Sequence, residues 1–192
     1  MNKKSHLIVF FIIILTVFSR LFINIPNFTA IGALALFCGA IANKNRFSII
    51  IPFIALFASD LMLISLGKQY LDYFKEGYFL YVYIAFAATW FIGKLINNRL
   101  KTINIILASL ASSISFFLIT NFGSWLQLAI YPKTLQGLGQ SYLAGIAFYK
   151  TGLYINFLGI LGDLFFTALF FGTYFFMQYL FVSKLRPVKI KN

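Results

Sequence analysis

Six stretches of this chain stay apolar for about the thickness of a bilayer, each bounded by polar or basic residues. They lie at about 7 to 25, 28 to 42, 47 to 66, 78 to 97, 103 to 121 and 155 to 181. A helix rises about 1.5 Å per residue, so roughly 20 apolar residues cross a hydrocarbon core of about 30 Å. The second stretch is the short one. It reaches only some 22 Å, so it must thin the bilayer locally or borrow length from Ile25 to Asn27. The runs are continuous and do not alternate, which selects helices over a barrel. The expected fold is all-α: a single integral membrane domain over residues 1–192, six transmembrane helices, and a long outer loop at 122–154 between the fifth and the sixth. With 61% hydrophobic residues, 25 Phe and only 10% charged residues, a water-soluble globule is excluded.

A formal net charge of +12 would suggest nucleic acid in a soluble chain. Here the basic residues sort by side. Lys3, Lys4, Lys44, Arg46, Lys94, Arg99, Lys101, Lys184, Arg186, Lys189 and Lys191 fall on one side of the expected helices. The other side has Lys68, Lys75, Lys133 and Lys150, the first two offset by Asp72 and Glu76. The positive-inside rule makes the richer side cytoplasmic, so both termini are expected inside a bacterial cytoplasmic membrane. Orientation and attraction to anionic lipid account for the charge, and no nucleic-acid partner is expected. Lys3 and Lys4 before the apolar Leu7 to Phe18 have the form of a signal peptide, but no small-x-small cleavage site follows, so an uncleaved first helix is expected. Cys38 stands alone and His6 is the only histidine, which leaves no disulfide and no thiolate or imidazole set for a metal. Gly67-Lys68 and Gly93-Lys94 lack the glycine loop that cradles phosphates. The chain is expected to hydrolyse no ATP itself, to use no cofactor and to be no enzyme.

Three charges lie inside the apolar stretches: Arg20, Asp60 and Asp163. Each costs about 2.5 to 3.5 kcal/mol at a helix centre on insertion scales, so each is a candidate functional residue. The topology puts all three in the outer half of the membrane, at depths that agree within about one helical turn. If their helices are neighbours, an arginine fork bridging two carboxylates would nearly neutralise the cluster. The alternative is an ion pair or triad that only pins helices together. Asn27-Phe28, Asn121-Phe122 and Asn156-Phe157 fall at or near outer helix ends, and so do most tyrosines. An interfacial aromatic belt explains many of these. An aromatic cavity with convergent polar groups would also hold a small ligand. Tyr81, Asn121 and Trp125 are the expected wall residues, and Asn27 and Tyr131 complete the candidate set around the three charges. The 122–154 segment, half apolar with Pro132 and glycines at 137, 139 and 145, reads either as a lid over that pocket or as a packing loop.

The stretches PNFTAIGALALFCGA (26 to 40), SD (59 to 60), TNFGSWL (120 to 126), YPKTLQGL (131 to 138), SY (141 to 142), AFY (147 to 149) and LGD (161 to 163) resemble an uncharacterised bacterial membrane family grouped with transport proteins. Through that family the chain resembles the substrate-binding S components of energy-coupling factor importers. The resemblance implies capture of a vitamin-like or other micronutrient outside the cell. It also implies a separate membrane coupling subunit with two ATPases. S components usually carry an Ala-x-x-x-Ala pattern on the first helix for that subunit, and this first helix has none. The nearest small-residue face is Ala35, Cys38, Gly39 and Ala42 on the second. Ala30 and Ala147 stand where the family pattern has proline. Two other classes fit some of the residues. A free-standing carrier would use Asp60 or Asp163 to bind a proton, although beyond the Asn-Phe pairs no half-to-half repeat is present. An intramembrane aspartyl protease would use both as a dyad, but its Gly-x-Gly-Asp signature fails at Ile160.

Overall fold

The computed structural model describes residues 14–16, 18–20, 28–41, 46–65, 77–147 and 153–185, and among these every regular element is helical. In chain order they are α1 (Ile31–Ile41), a 3₁₀ turn (Arg46–Ile49) that leads into α2 (Ile50–Ser65), α3 (Phe79–Leu95), α4 (Thr102–Gln127), α5 (Leu135–Ala147) and α6 (Leu153–Leu185). Residues 14–16 and 18–20 are also helical; the rest of the first expected helix, 7–25, lies outside the described residues.

The shortest α-helix is the centre of the bundle. Nine of the eleven residues of α1 are buried, which a helix apolar on every side requires of its surroundings. One side packs on Ala55, Ile105, Ala108, Phe166, Phe170 and Phe171, drawn from α2, α4 and α6. On another, Ile31 and Ala35 meet Leu56, Val82 and Phe86. At 11 residues α1 rises about 16 Å, too little to cross a bilayer. A helix inside such a core still needs partners for its terminal backbone groups. Ser19 Oγ accepts from the Ala30 amide at 3.1 Å at one end, and the Asn97 amide donates to the Ala40 carbonyl at the other.

Glycine sets the distance between α1 and α3. A Cβ on Gly39 would lie 2.0 Å from the Trp90 carbonyl oxygen, and one on Gly93 would lie 2.2 Å from the Leu36 carbonyl oxygen. The two backbones touch, as small residues allow in apolar helix packing. Thr102–Gln127 and the Gly159–Leu180 part of α6 are long and apolar enough to cross a membrane; α1, α2 and α3 are shorter apolar helices. The outward faces are apolar: Ile54, Phe57 and Leu61 on α2, Leu80, Ile84 and Phe91 on α3, Leu107, Ile114 and Leu118 on α4, and Phe165 and Phe176 on α6 are all exposed. Ser59, Asp60, Thr89, Ser109, Ser112, Thr120 and Thr167 are buried.

The segment expected as the loop 122–154 is largely helical. α4 continues through Gln127, and α5 occupies 13 residues of what remains. Thr134 caps α5, its hydroxyl accepting from the Gly137 amide at 3.2 Å. Lys133 Nζ donates to the Trp125 carbonyl and, at 3.2 Å, to the Leu128 carbonyl, which satisfies the end of α4 and complements its dipole.

Candidate functional site

Arg20 and Asp60 form an ion pair through Nη1 and Oδ1. Asp60 is 0% exposed and Arg20 14%, so the pair is held away from solvent. The same Nη1 donates to Ser59 Oγ at 2.7 Å and reaches the Leu56 carbonyl at 3.4 Å. Leu56, Ser59 and Asp60 are spaced i, i+3, i+4 and therefore share one face of α2, which presents three acceptors to one guanidinium. Ser59 donates in turn to the Leu56 carbonyl at 2.7 Å. From α3 the Tyr83 phenol points at Asp60 Oδ2 at 3.5 Å, its ring against Phe53 at 5.6 Å between centroids. The cluster joins the first helix, α2 and α3, and opposite charges cancel inside it.

Asp163 stands apart from that pair. Its Oδ2 takes the Ser113 hydroxyl at 2.7 Å, and its Oδ1 would lie 2.6 Å from a Cβ on Gly32. Among the described residues no basic side chain pairs with it. The expected triad is thus divided, with Arg20 and Asp60 together and Asp163 held by α4 and α1. The two acids flank the opening turn of α1, where Ile31 packs with Leu56 and Gly32 abuts Asp163. One turn along, Ser109 Oγ meets Thr167 Oγ1 at 3.3 Å. Asp163 with Thr167 and Ser113 with Ser109 are i, i+4 pairs, so α4 and α6 run antiparallel with two polar rungs between them. Ser112 Oγ is buried beside this ladder with no hydrogen-bond partner among the described residues.

The aromatic and amide candidates gather at the end of α4. Tyr81 lies against Gly123, where a Cβ would stand 2.2 Å from the ring. Since Tyr83 points at Asp60, the end of α2, the start of α3 and the end of α4 share one end of the bundle. Trp125 donates from its indole to the Pro132 carbonyl at 2.9 Å. Asn121 donates to the Phe117 carbonyl at 2.8 Å, and its amide oxygen fills the space over Gly145. Ser141 donates to the Asn121 carbonyl and Tyr142 to the Leu118 carbonyl at 3.1 Å. Asn121, Ser141 and Tyr142 therefore bracket α5 onto α4, while Trp125 ties down the turn between them. Tyr131 is partly buried in the intervening turn, its amide bonded to the Leu128 carbonyl at 3.4 Å. Asn27 lies outside the described residues.

The small-residue face expected to receive a partner helix is turned inward. Ala35 and Cys38 are buried, and Gly39 is covered by the backbone of α3. The reason is that α1 is ringed by its own neighbours, which use its small side chains for close approach. Ala42 lies outside the described residues. Ser59, Ser109, Ser113 and Thr167 were not among the expected site residues; the Ser109, Ser112, Ser113 spacing in an apolar helix was the signal that marks the two on α4.

Over the described residues these features define a helical bundle with apolar outward faces, a buried ion pair and a separate hydroxyl-bound carboxyl. The chain belongs to a family of unknown function (DUF6580), whose profile matches residues 1–185. No curated protein matches the chain, and no solved structure does.

Proposed function

We propose that this protein is integral to the bacterial cytoplasmic membrane, with both termini inside, and binds a small micronutrient or vitamin-like molecule for uptake. In this reading it works as a substrate-binding subunit similar to the S components of energy-coupling factor importers, with energy supplied by a separate ATPase-bearing complex. The apolar outward faces support insertion in lipid, and the sorted basic residues support the orientation. The observation that carries the binding reading is the Arg20, Asp60, Ser59 and Tyr83 cluster, buried at the bundle end to which α5 is bracketed. Among the described residues Asp60 Oδ2 has only the long contact from Tyr83, so a ligand donor group displacing the phenol would gain a charge-assisted bond. The inward turn of Ala35, Cys38 and Gly39 moves any coupling-subunit contact to the exposed apolar faces.

A second reading, the proton-coupled carrier, is favoured by one observation: Asp163 has a hydroxyl partner and no basic one among the described residues. A dyad protease finds no support, because the two acids take separate partners. The binding reading is tested by native mass spectrometry of gently purified protein. A small molecule retained by the wild type and lost in Arg20→Ala and Tyr83→Phe is the expected result. Equal retention in folded Tyr83→Phe and Arg20→Ala would remove this cluster from the site. Co-purification of an ATPase complex on co-expression tests the S-component assignment separately.

A further inference from the structure

Ser113 contacts two oxygens, the Ser109 carbonyl at 3.1 Å and Asp163 Oδ2 at 2.7 Å. A hydroxyl has one proton and aims it squarely at one acceptor. The Ser109 carbonyl can only accept. When Ser113 donates there, the shorter contact requires a proton from Asp163, and only the neutral carboxyl has one. The distance suits an O–H···O bond. In the opposite assignment Asp163 is an anion with one neutral donor on Oδ2, while Oδ1 faces the backbone of Gly32. Asp163 is partly buried, and a carboxylate withdrawn from water is stabilised by several donors or by a cation; among the described residues neither surrounds this one.

Among the described residues, nothing packed against α6 supplies a competing charge. α4 has no titratable side chain. α1 contributes Cys38, six residues beyond Gly32. α5 contributes Tyr142, whose phenol is bonded to the Leu118 carbonyl. Among the described side chains of α6 itself, Tyr174 and Tyr179 lie eleven and sixteen residues further on. Asp60 is neutralised by Arg20.

We propose that Asp163 is an exchangeable proton-binding site, protonated at rest and donating to Ser113. On release a base from solution, hydroxide in an alkaline titration, takes the proton from Oδ2 to give water, the carboxyl becomes an anion, and the Ser113 hydroxyl turns from the Ser109 carbonyl to Asp163. The Ser109–Thr167 hydroxyl contact, one turn along the same seam, continues a line of groups that both donate and accept. This deepens the carrier reading of Asp163 and is independent of ligand binding at Arg20 and Asp60.

Infrared difference spectroscopy of the full chain in phosphatidylglycerol/phosphatidylethanolamine vesicles tests it. At neutral pH the wild type is expected to show the carbonyl stretch of a protonated carboxyl, absent in Asp163→Asn and retained in Asp60→Asn. Ser113→Ala should move that band to higher frequency, since a hydrogen bond is lost. Isotope-labelled aspartate in the wild type and in Ser113→Ala assigns the band even if Asp163→Asn fails to fold. The band should vanish reversibly on alkaline titration. No aspartate band sensitive to Ser113 at neutral pH would mean an ionised Asp163 and overturn the proposal. A band unchanged through the whole titration would mean a fixed neutral brace, with the same consequence. Neither result depends on whether transport is observed, so the carrier reading fails separately, by absence of proton movement with a substrate.

Discussion

Adding one methyl group at the α1–α3 crossing should separate the two helices measurably. Gly39→Ala places a Cβ 2.0 Å from the Trp90 carbonyl oxygen, and Gly93→Ala places one 2.2 Å from the Leu36 carbonyl oxygen. Ordinary contact begins near 3.4 Å, so each variant needs more than 1 Å of separation. The obstructing atoms are backbone and cannot rotate away, which puts the cost toward the upper part of the roughly 1 to 3 kcal/mol typical of overpacking. Both glycines lie at the same crossing, so one displacement relieves both clashes. The double variant should therefore cost less than the sum of the two singles. Cys38, the sole cysteine and buried in α1, reports the opening. If the reagent reaches the thiol through transient separation, about 1 to 3 kcal/mol corresponds to roughly 5- to 150-fold faster maleimide labelling in detergent. Thermal unfolding of the same samples should show lower midpoints. Wild-type labelling rates and midpoints in both single variants would refute a backbone-to-backbone crossing at these glycines.

Removing Arg20 leaves Asp60 buried without its cation, so Arg20→Ala is expected to lose about 3 to 5 kcal/mol in denaturant unfolding. The paired Arg20→Met/Asp60→Leu change should recover most of it, and equal losses in both would contradict a coupled pair. Ser141→Ala with Tyr142→Phe removes the two side-chain bonds from α5 to α4, at about 1 kcal/mol each, and should increase proteolysis within α5 while leaving the other helices protected. Lys101→Cys and Gly139→Cys, both at exposed positions, should label from opposite sides of intact cells, the latter from outside. Labelling from one side would overturn the orientation.

Hydrophobicity located the helices well because each apolar run ends at polar residues: the run at 78 to 97 contains α3 at Phe79–Leu95, and that at 47 to 66 contains the 3₁₀ turn and α2 through Ser65. It said less about α1. A run of fifteen apolar residues looks like a short span, but among its described residues, 28–41, the helix is Ile31–Ile41 and forms the core, because Ala33, Ala35, Gly39 and Ala40 are small enough for four other helices to close around them. The helix in 135–147 was harder to see. Glycines 137, 139 and 145 weaken its propensity, and what holds it is tertiary: Gly145 under Asn121, and Ser141 and Tyr142 on the carbonyls of α4.

The division of the three charges shows what kind of information was missing. Counting residues along a helix gives depth, and depth alone allowed Arg20 to meet either acid. Contact also depends on rotation about the helix axis, and apolar helices such as α2 and α6 show no strongly one-sided hydrophobicity to reveal it. The residues around each acid do reveal it. A guanidinium has five donors and is best satisfied by several acceptors on one face. α2 presents the Leu56 carbonyl, Ser59 and Asp60 together. Around Asp163 the i+4 neighbour is Thr167, already engaged with Ser109, and the preceding turn is Gly159 to Gly162, with no side chain to accept. Gly162 lets α6 approach the chain at Phe28, just ahead of α1, and Gly32 leaves the room that Asp163 fills, while the serine spacing on α4 supplies its hydroxyl partner. In a bundle with apolar outward faces, the small and hydroxyl residues therefore fix helix rotation, and rotation decides which acid meets a guanidinium and which meets a hydroxyl.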